Sequence, residues 1–259
     1  MRKAKTTLNM NKKFDLKAND YLDSAEGKLF YNLQHFAESA PRYDLATRGL
    51  SLGQDGSWKR ALVGGLPQKQ GAFCLDVACG TGDVTGLLAE KYSDGEIEGV
   101  DLTPEMIRIA EERNKNPRVH FRCGDMSRLD LPDRSVDILT GSYAIRNAPD
   151  LETVLAEFGR VMKAGGRAAF LDFSKPRGKW RQSLQCWLLK VWGGFWGLIL
   201  HGNPEVHGYI SSSIRTFPDR EELESLFSRY GFQLERSQPF LSGMVRLYFL
   251  IFVPSSTIL

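Results

Sequence analysis

The sequence predicts an α/β fold built on a doubly wound, mostly parallel seven-stranded sheet of Rossmann-like type, and three observations carry that expectation. Short apolar runs of strand character alternate with helical periodicities through the middle of the chain, so successive strands need helical crossovers. The first run, Phe73-Cys-Leu-Asp-Val-Ala-Cys-Gly-Thr-Gly82, leads straight into a glycine turn, and the helix pattern after it carries Val84, Leu87 and Leu88. The second run, Glu96-Ile-Glu-Gly-Val-Asp101, ends in a carboxylate. In such a unit the backbone approaches a ligand at the glycines while the acid accepts both hydroxyls of a ribose.

Taken in order, strands are expected at 73–78, 96–101, 118–123, 135–142, 167–173, 232–238 and 244–253. Helices fit Asp83–Tyr92, Pro104–Asn114, Leu151–Met162 and Asp219–Tyr230. Pro104 suits a helix start with Thr103 as its cap, Asp219 caps the last helix after Pro218, and Gly165-Gly166 stops the helix before it. With 259 residues, 42% hydrophobic and 25% charged, the chain can bury one substantial core and is slightly long for a single doubly wound sheet. The surplus falls where helical insertions would sit. The expected organisation is a flexible basic leader over 1–26, an N-terminal helical cap over 27–70, and a cofactor-binding core over 71–176. An apolar lid insertion over 177–217 follows, and 218–259 supplies the last helix and two strands.

The net charge of +3 is too balanced to argue for nucleic acid. Cys74, Cys79, Cys123 and Cys186 show no paired ligand spacing, so reduced structural thiols and no metal are expected. The basic leader has no continuous apolar core, which argues against export and for a cytoplasmic protein.

The glycine turn admits two cofactor classes. A dinucleotide fold wants Gly-x-Gly-x-x-Gly/Ala, whereas here Gly80 and Gly82 are followed by Thr85. Asp76 sits inside the strand four positions before Gly80, where it can pair with an ammonium but would repel a pyrophosphate. An ammonium, a sulfonium and a ribose without phosphate describe S-adenosylmethionine, and the register of loop and acids favours it over a dinucleotide. Asp76, Ala78, Gly80, Thr81 and Gly82 are the expected loop contacts, with Asp101, Leu102 and Met106 beyond the second strand. Asp125-Met126, after the third strand, suits an adenine amino group and ring face. Ser142 ends the fourth strand, and ligands of such sheets lie beyond the carboxyl ends of the strands, so these residues should converge on one crevice.

The segment from Leu184 to Leu200 repeats apolar residues at helical spacing, including Trp187, Trp192 and Trp196. It is short and glycine-broken for a membrane span, which takes ~20 apolar residues. Two expectations stand side by side: a lid helix buried on the sheet, or a surface touching anionic lipid or a long apolar substrate tail, with Lys175, Arg177, Lys179 and Arg181 just before it. Peripheral contact at the inner face of a membrane belongs to the second, and a homodimer is a further open partner.

At these residues the chain resembles the class I S-adenosylmethionine-dependent methyltransferases, and more narrowly the ubiquinone/menaquinone biosynthesis C-methyltransferase family, from about Phe30 to about Val253. Tyr43-Asp44, Leu75-Asp-Val-Ala-Cys-Gly-Thr-Gly-Asp83, Ile145-Arg-Asn147, Asp172-Phe-Ser-Lys-Pro176 and Ser213-Ile-Arg-Thr-Phe-Pro218 carry the likeness. The chain departs from the pattern at Cys79, where members usually have glycine, and in Gly243-Met-Val-Arg-Leu-Tyr248, which lacks a histidine usual there. The resemblance implies methyl transfer to carbon of a polyprenyl hydroquinone such as demethylmenaquinol, with an apolar groove for the tail.

Methylating an aromatic carbon needs a neighbouring phenol to lose its proton, so the site needs a base or a cation that stabilises phenolate. Arg146 is the expected cation, with a salt bridge to the scaffold as its competing role. The resemblance puts a tyrosine close to Tyr209, which is the other catalytic candidate. Tyr143, Asn147, Trp187, Trp192, Trp196, His207 and Arg215 are expected to face the acceptor. A same-fold methyltransferase for a polyketide, terpene or sterol, and a cofactor-binding scaffold without turnover, stay open as alternatives.

Overall fold

The computed structural model describes residues 20–21, 24–176 and 178–254, with the side chains of 205–209 excepted. The expected leader therefore lies almost wholly outside the described residues. Seven strands, β1 (Phe73–Val77), β2 (Glu96–Asp101), β3 (Val119–Cys123), β4 (Val136–Ser142), β5 (Met162–Phe173), β6 (Phe232–Phe240) and β7 (Val245–Phe252), form one sheet in the order β3-β2-β1-β4-β5-β7-β6. β1 to β5 pair parallel, and β7 enters antiparallel between β5 and β6. The chain reverses direction across the sheet between β1 and β4, which opens a crevice at their carboxyl ends.

Helices α1 (Ala25–Ser39), α2 (Tyr43–Leu50) and α3 (Asp55–Gly64) precede the sheet, and α4 (Asp83–Lys91), α5 (Pro104–Arg113), α6 (Leu151–Val161) and α9 (Arg220–Arg229) cross between strands. Alternation along each strand sends neighbours to opposite faces. Leu75 and Val77 of β1, with Phe170 of β5 and Tyr248 and Leu250 of β7, pack under Phe158 of α6 and Phe227 of α9. Cys74, Leu171, Leu247 and Phe249 pack on the other face against Trp58 and Leu62 of α3 and Leu88 of α4. Both faces are covered by helices, as a doubly wound sheet requires.

The insertion folds into α7 (Lys179–His201) and α8 (Glu205–Thr216), which pack on each other and bring α7 against α2. Leu189, Ile210 and Ile214 make the small core between them. No described helix is long and apolar enough to cross a membrane.

Two expectations about caps are corrected. α6 ends at Val161, before Gly165-Gly166, and the chain goes directly into β5. Gly165, at φ +76, and Gly166, whose added Cβ would lie 2.7 Å from Met162, instead form an irregularity inside β5. There Val136 pairs with Met162 but Ile138 with Arg167, so two steps on β4 match five on β5. Thr103 does precede α5, but its side chain makes no capping bond. Its carbonyl accepts from Met106 and Ile107 instead. Asp219 caps α9 through a complete capping box with Glu222.

Candidate functional site

The glycine turn follows β1 because the chain there must leave the strand and start α4 within a few residues. Gly80 at φ +55 and Gly82 at φ +85 take left-handed backbone at no steric cost, and an added Cβ on Gly82 would lie 3.1 Å from Ala110 and from Phe121. Ala78 and Tyr143 adopt φ +49 and +58 without that freedom. Strain of this kind persists where the surroundings over-determine it, and two of the six such residues among those described lie on the loops that frame the crevice.

Asp101, at the end of β2, accepts the Gly80 amide through Oδ2 and the Thr103 amide through Oδ1, each at 2.9 Å. The two bonds fix the carboxylate at the rim of the cleft. Burial pushes Asp101 above the ordinary carboxylate range, against the pull of those amides. Asp76 is buried, accepts the hydroxyls of Thr85 at 2.7 Å and Thr140 at 2.8 Å, and is pushed up to about 6 by burial.

Three adjoining cavities meet at Tyr43 and Tyr143. The first, beyond β1, β2 and β4, is lined by Ala78, Gly80, Asp101, Leu102, Met106, Asp125, Met126 and Ser142. These are eight of the expected cofactor contacts, together on one crevice. A second, smaller space beneath it is lined by Asp76, Thr81 and Lys59, again with Gly80 and Ser142. Ser142 Oγ, shared by both, is buried without a hydrogen-bond partner among the described residues, as a hydroxyl awaiting a ligand would be. Thr81 also donates to Asp44 of α2 at 2.8 Å, and Gly82 is the turn into α4 rather than a wall of either space.

The third cavity, about 330 Å³, is apolar and lies under α7. Phe36, Leu50, Phe173, Leu189, Trp192, Met244 and Arg146 line it, and Tyr143 and Asn147 stand on the side shared with the crevice. Arg146 here both faces a cavity and is braced. Its Nε donates to Asp172 at 3.3 Å and its Nη1 to Ser213 at 2.6 Å, while its backbone amide donates to the other oxygen of Asp172. The guanidinium lies 5.2 Å over the Phe173 ring. Burial pushes the Asp172 carboxyl up, and Arg146 opposes that shift. Ile145-Arg-Asn, Asp172-Phe-Ser and Ser213-Ile-Arg, far apart in sequence, thus converge on one ion pair. Asn147 lines both the crevice and the apolar cavity, and its side chain donates to the Tyr143 carbonyl at 2.9 Å.

Several expected acceptor residues lie elsewhere. Trp187 is exposed on the outside of α7 and lines none of these cavities, because the buried side of that helix is the one carrying Gln185, Leu189, Gly193 and Gly197. Trp196 packs on Gly49 of α2, where an added Cβ would sit 2.5 Å from its ring, so it joins lid to cap. Arg215 is exposed and off all three cavities, and Ser213 of the same motif makes the contact to Arg146. His207 and Tyr209 fall within α8, but their side chains lie outside the described residues.

The N-terminal cap supplies residues that local pattern did not reveal. Tyr43 lines all three cavities, and burial pushes its phenol up to about 12. Tyr143 donates to Asp55 at 2.9 Å, and burial holds its phenol well above the usual range. Lys59 bridges Asp55 at 2.8 Å and Asp83 at 2.9 Å beside Asp76; burial opposes its charge, but the two acids outweigh burial and hold its pKa above the ordinary value. Lys28 donates to the carbonyls of Arg146 and Ala148, and Asn32 to that of Asn147, so α1 ties down the turn 145–148. The sequence points to a helical cap over 27–70, but within it only Tyr43-Asp44 stands out as a motif.

Known proteins resemble this chain in sequence and in fold. A 2-phytyl-1,4-naphtoquinone methyltransferase of Thermosynechococcus vestitus is 33% identical over 218 residues, covering 82% of this chain and 95% of that protein. A demethylmenaquinone methyltransferase of Deinococcus radiodurans is 36% identical over 205 residues, covering 76% and 83%. Among solved structures, a geranyl diphosphate C-methyltransferase of Streptomyces coelicolor shares the fold at a TM-score of 0.57 and 14% identity, over 76% of this chain and 79% of that one. The model of the ubiE/COQ5 methyltransferase family matches residues 27–251, and the chain belongs to that family.

Proposed function

We propose that the protein is an S-adenosylmethionine-dependent C-methyltransferase whose acceptor is a prenylated quinol of the demethylmenaquinol kind. The single observation that carries it is the juxtaposition at Tyr143 and Asn147: a ribose-type crevice with Asp101 and Ser142 on one side, an apolar cavity with one buried cation, Arg146, on the other. The relatives that act on naphthoquinone-type acceptors support the substrate class.

The residues present fit the cofactor. Asp101 takes the ribose hydroxyls, Leu102, Met106 and Met126 cover the adenine, Asp125 accepts its amino group, and the backbone at Gly80 permits close approach. Asp76 attracts the ammonium, and Lys59, the cation of the smaller space, faces the carboxylate. Bound there, S-adenosylmethionine supplies a methyl group already activated by a positive sulfur. The chain must then contribute position and a nucleophile. The Arg146 guanidinium lowers the pKa of an acceptor phenol placed in the apolar cavity and holds the resulting oxyanion, so that charge reaches the ring carbon; once that carbon carries the methyl group, its hydrogen leaves as a proton to solvent and the ring regains aromaticity. Tyr143 and Asn147 separate the two cavities and set the approach. Tyr209 stays the second candidate for handling the phenol proton, with His207 beside it. The apolar walls favour an isoprenoid tail at ~0.8 kcal/mol per buried methylene. Such an acceptor dissolves in membranes, so a cytoplasmic enzyme would reach it by peripheral contact at the inner membrane face.

Incubation with methyl-labelled S-adenosylmethionine and demethylated prenyl naphthoquinols or benzoquinols in detergent tests this. The label should appear on a ring carbon of one quinol class. Labelling of oxygen alone, or of a polyketide or sterol in preference to every quinol, would refute the acceptor assignment.

A further inference from the structure

Helix α7 turns an apolar face to solvent. Trp180, Trp187, Val191, Phe195, Leu198 and Ile199 are all exposed, Trp180 by 67% and Trp187 by 60%. With the exposed Leu184 between the first two, they recur three and four apart and form one stripe from Trp180 to Leu198, about 27 Å long at ~1.5 Å per residue. The opposite side of the helix, with Gln185, Leu189, Gly193 and Gly197, is the buried one. Water-facing apolar surface of this continuity marks a docking surface.

Two observations say what covers it. The first is continuity with the cavity: Leu52, Leu188 and Trp192 line the apolar cavity and are also exposed, by 63%, 43% and 36%. The cavity mouth therefore opens on the stripe. The second is charge. Between Asp172 and Glu205 the sequence carries no acid, and Lys179, Arg181 and Lys190 of α7 are exposed. A second copy laid on the stripe would bring like charges together and cap the mouth. A bilayer surface with anionic headgroups satisfies both the apolar face and the cations, and interfacial tryptophan suits that boundary.

We infer that α7 lies flat on an anionic lipid surface, with Trp180 and Trp187 as interfacial anchors, so that the mouth at Leu52, Leu188 and Trp192 faces the acyl region and the acceptor enters without crossing water. The three expected acceptor tryptophans then divide: Trp187 anchors, Trp192 flanks the mouth, and Trp196 wedges against Gly49. The inference rests on the prenylated acceptor proposed above.

The test uses sedimentation of the full chain with phosphatidylcholine vesicles, with and without phosphatidylglycerol, and the variant Trp180→Gln/Trp187→Gln. Wild-type protein should bind the mixed vesicles at least tenfold more tightly than phosphatidylcholine alone, since each basic side chain contributes a factor of roughly five. The variant should lose at least tenfold in vesicle binding with an unchanged melting temperature. It should methylate vesicle-embedded quinol slowly but detergent-dispersed quinol at the wild-type rate. Unchanged vesicle binding in the variant would overturn the inference, as would a concentration-dependent dimer that the variant abolishes without vesicles. Failure of wild type on detergent-dispersed quinol would instead overturn the acceptor assignment and leave the vesicle result standing.

Discussion

The crevice over β1, β2 and β4 and the cavity under α7 share Tyr43 and Tyr143, yet different physics builds them. In the crevice, position comes from backbone: strand ends, left-handed glycines, and a carboxylate held by two amides. In the cavity, it comes from packing of separate stretches of chain: α1–α3, the turn 145–148, helices α7 and α8, the end of β5 and the start of β7. One polar group, Arg146, is fixed within it by Asp172 and Ser213. The crevice can bind one cofactor with little dependence on the lid, whereas the cavity can change its acceptor through apolar walls alone. Variants should therefore separate cofactor affinity from acceptor turnover.

The largest expected effect is on Arg146. Arg146→Ala should cut kcat about a hundredfold or more, on the scale of losing a transition-state donor, with cofactor affinity nearly intact. Because it leaves Asp172 buried and unpaired, stability should also fall by about 3–5 kcal/mol. Adding Asp172→Asn should restore the melting temperature but not kcat. Recovery of both would show Arg146 to be a brace alone.

Next comes the crevice. Asp101→Ala should weaken cofactor binding by about 1.5–3 kcal/mol, measured by calorimetry with S-adenosylhomocysteine. Unchanged affinity would remove Asp101 from the ribose site. Lys59→Met should cost roughly tenfold in the same titration, but little for methylthioadenosine, which lacks the amino-acid end. Equal losses for both ligands would make Lys59 structural.

A smaller effect is expected with pH. Burial raises Asp76 to about 6, and ammonium binding needs the carboxylate, so affinity should be full above that pH and fall as pH drops through it, by up to about tenfold per unit. Asp76→Asn should lower affinity at neutral pH and remove the step near 6. A step that survives the substitution would belong to another group.

The same contrast explains what the sequence made legible. Strand and helix periods, Gly80, Asp101 and Asp125 are local signals, and the convergence of these three residues follows from sheet topology alone. Lys28, Asn32 and Lys59 reach the site across packing between distant stretches, which leaves no period in the chain. Trp187 and Trp192 share one apolar pattern in a helix that is apolar nearly all round, so spacing could not say which side meets α8 and which meets solvent. Thr103 and Gly165-Gly166 looked like a cap and a stop because those residue types favour such positions. The Asp101 carboxylate, which takes the Thr103 amide, and the extension of β5 settled them otherwise.

The division of labour between the two regions is tested most directly by steady-state kinetics in aqueous buffer without micelles, on water-soluble quinols bearing no isoprene unit, one or two. If the apolar cavity selects the acceptor by its tail, KM should fall at least about tenfold on adding the first isoprene unit while kcat stays within about threefold. That is about 1.4 kcal/mol, well inside the ~4 kcal/mol available from five buried carbons. A KM flat across the series, or a change confined to kcat, would contradict it.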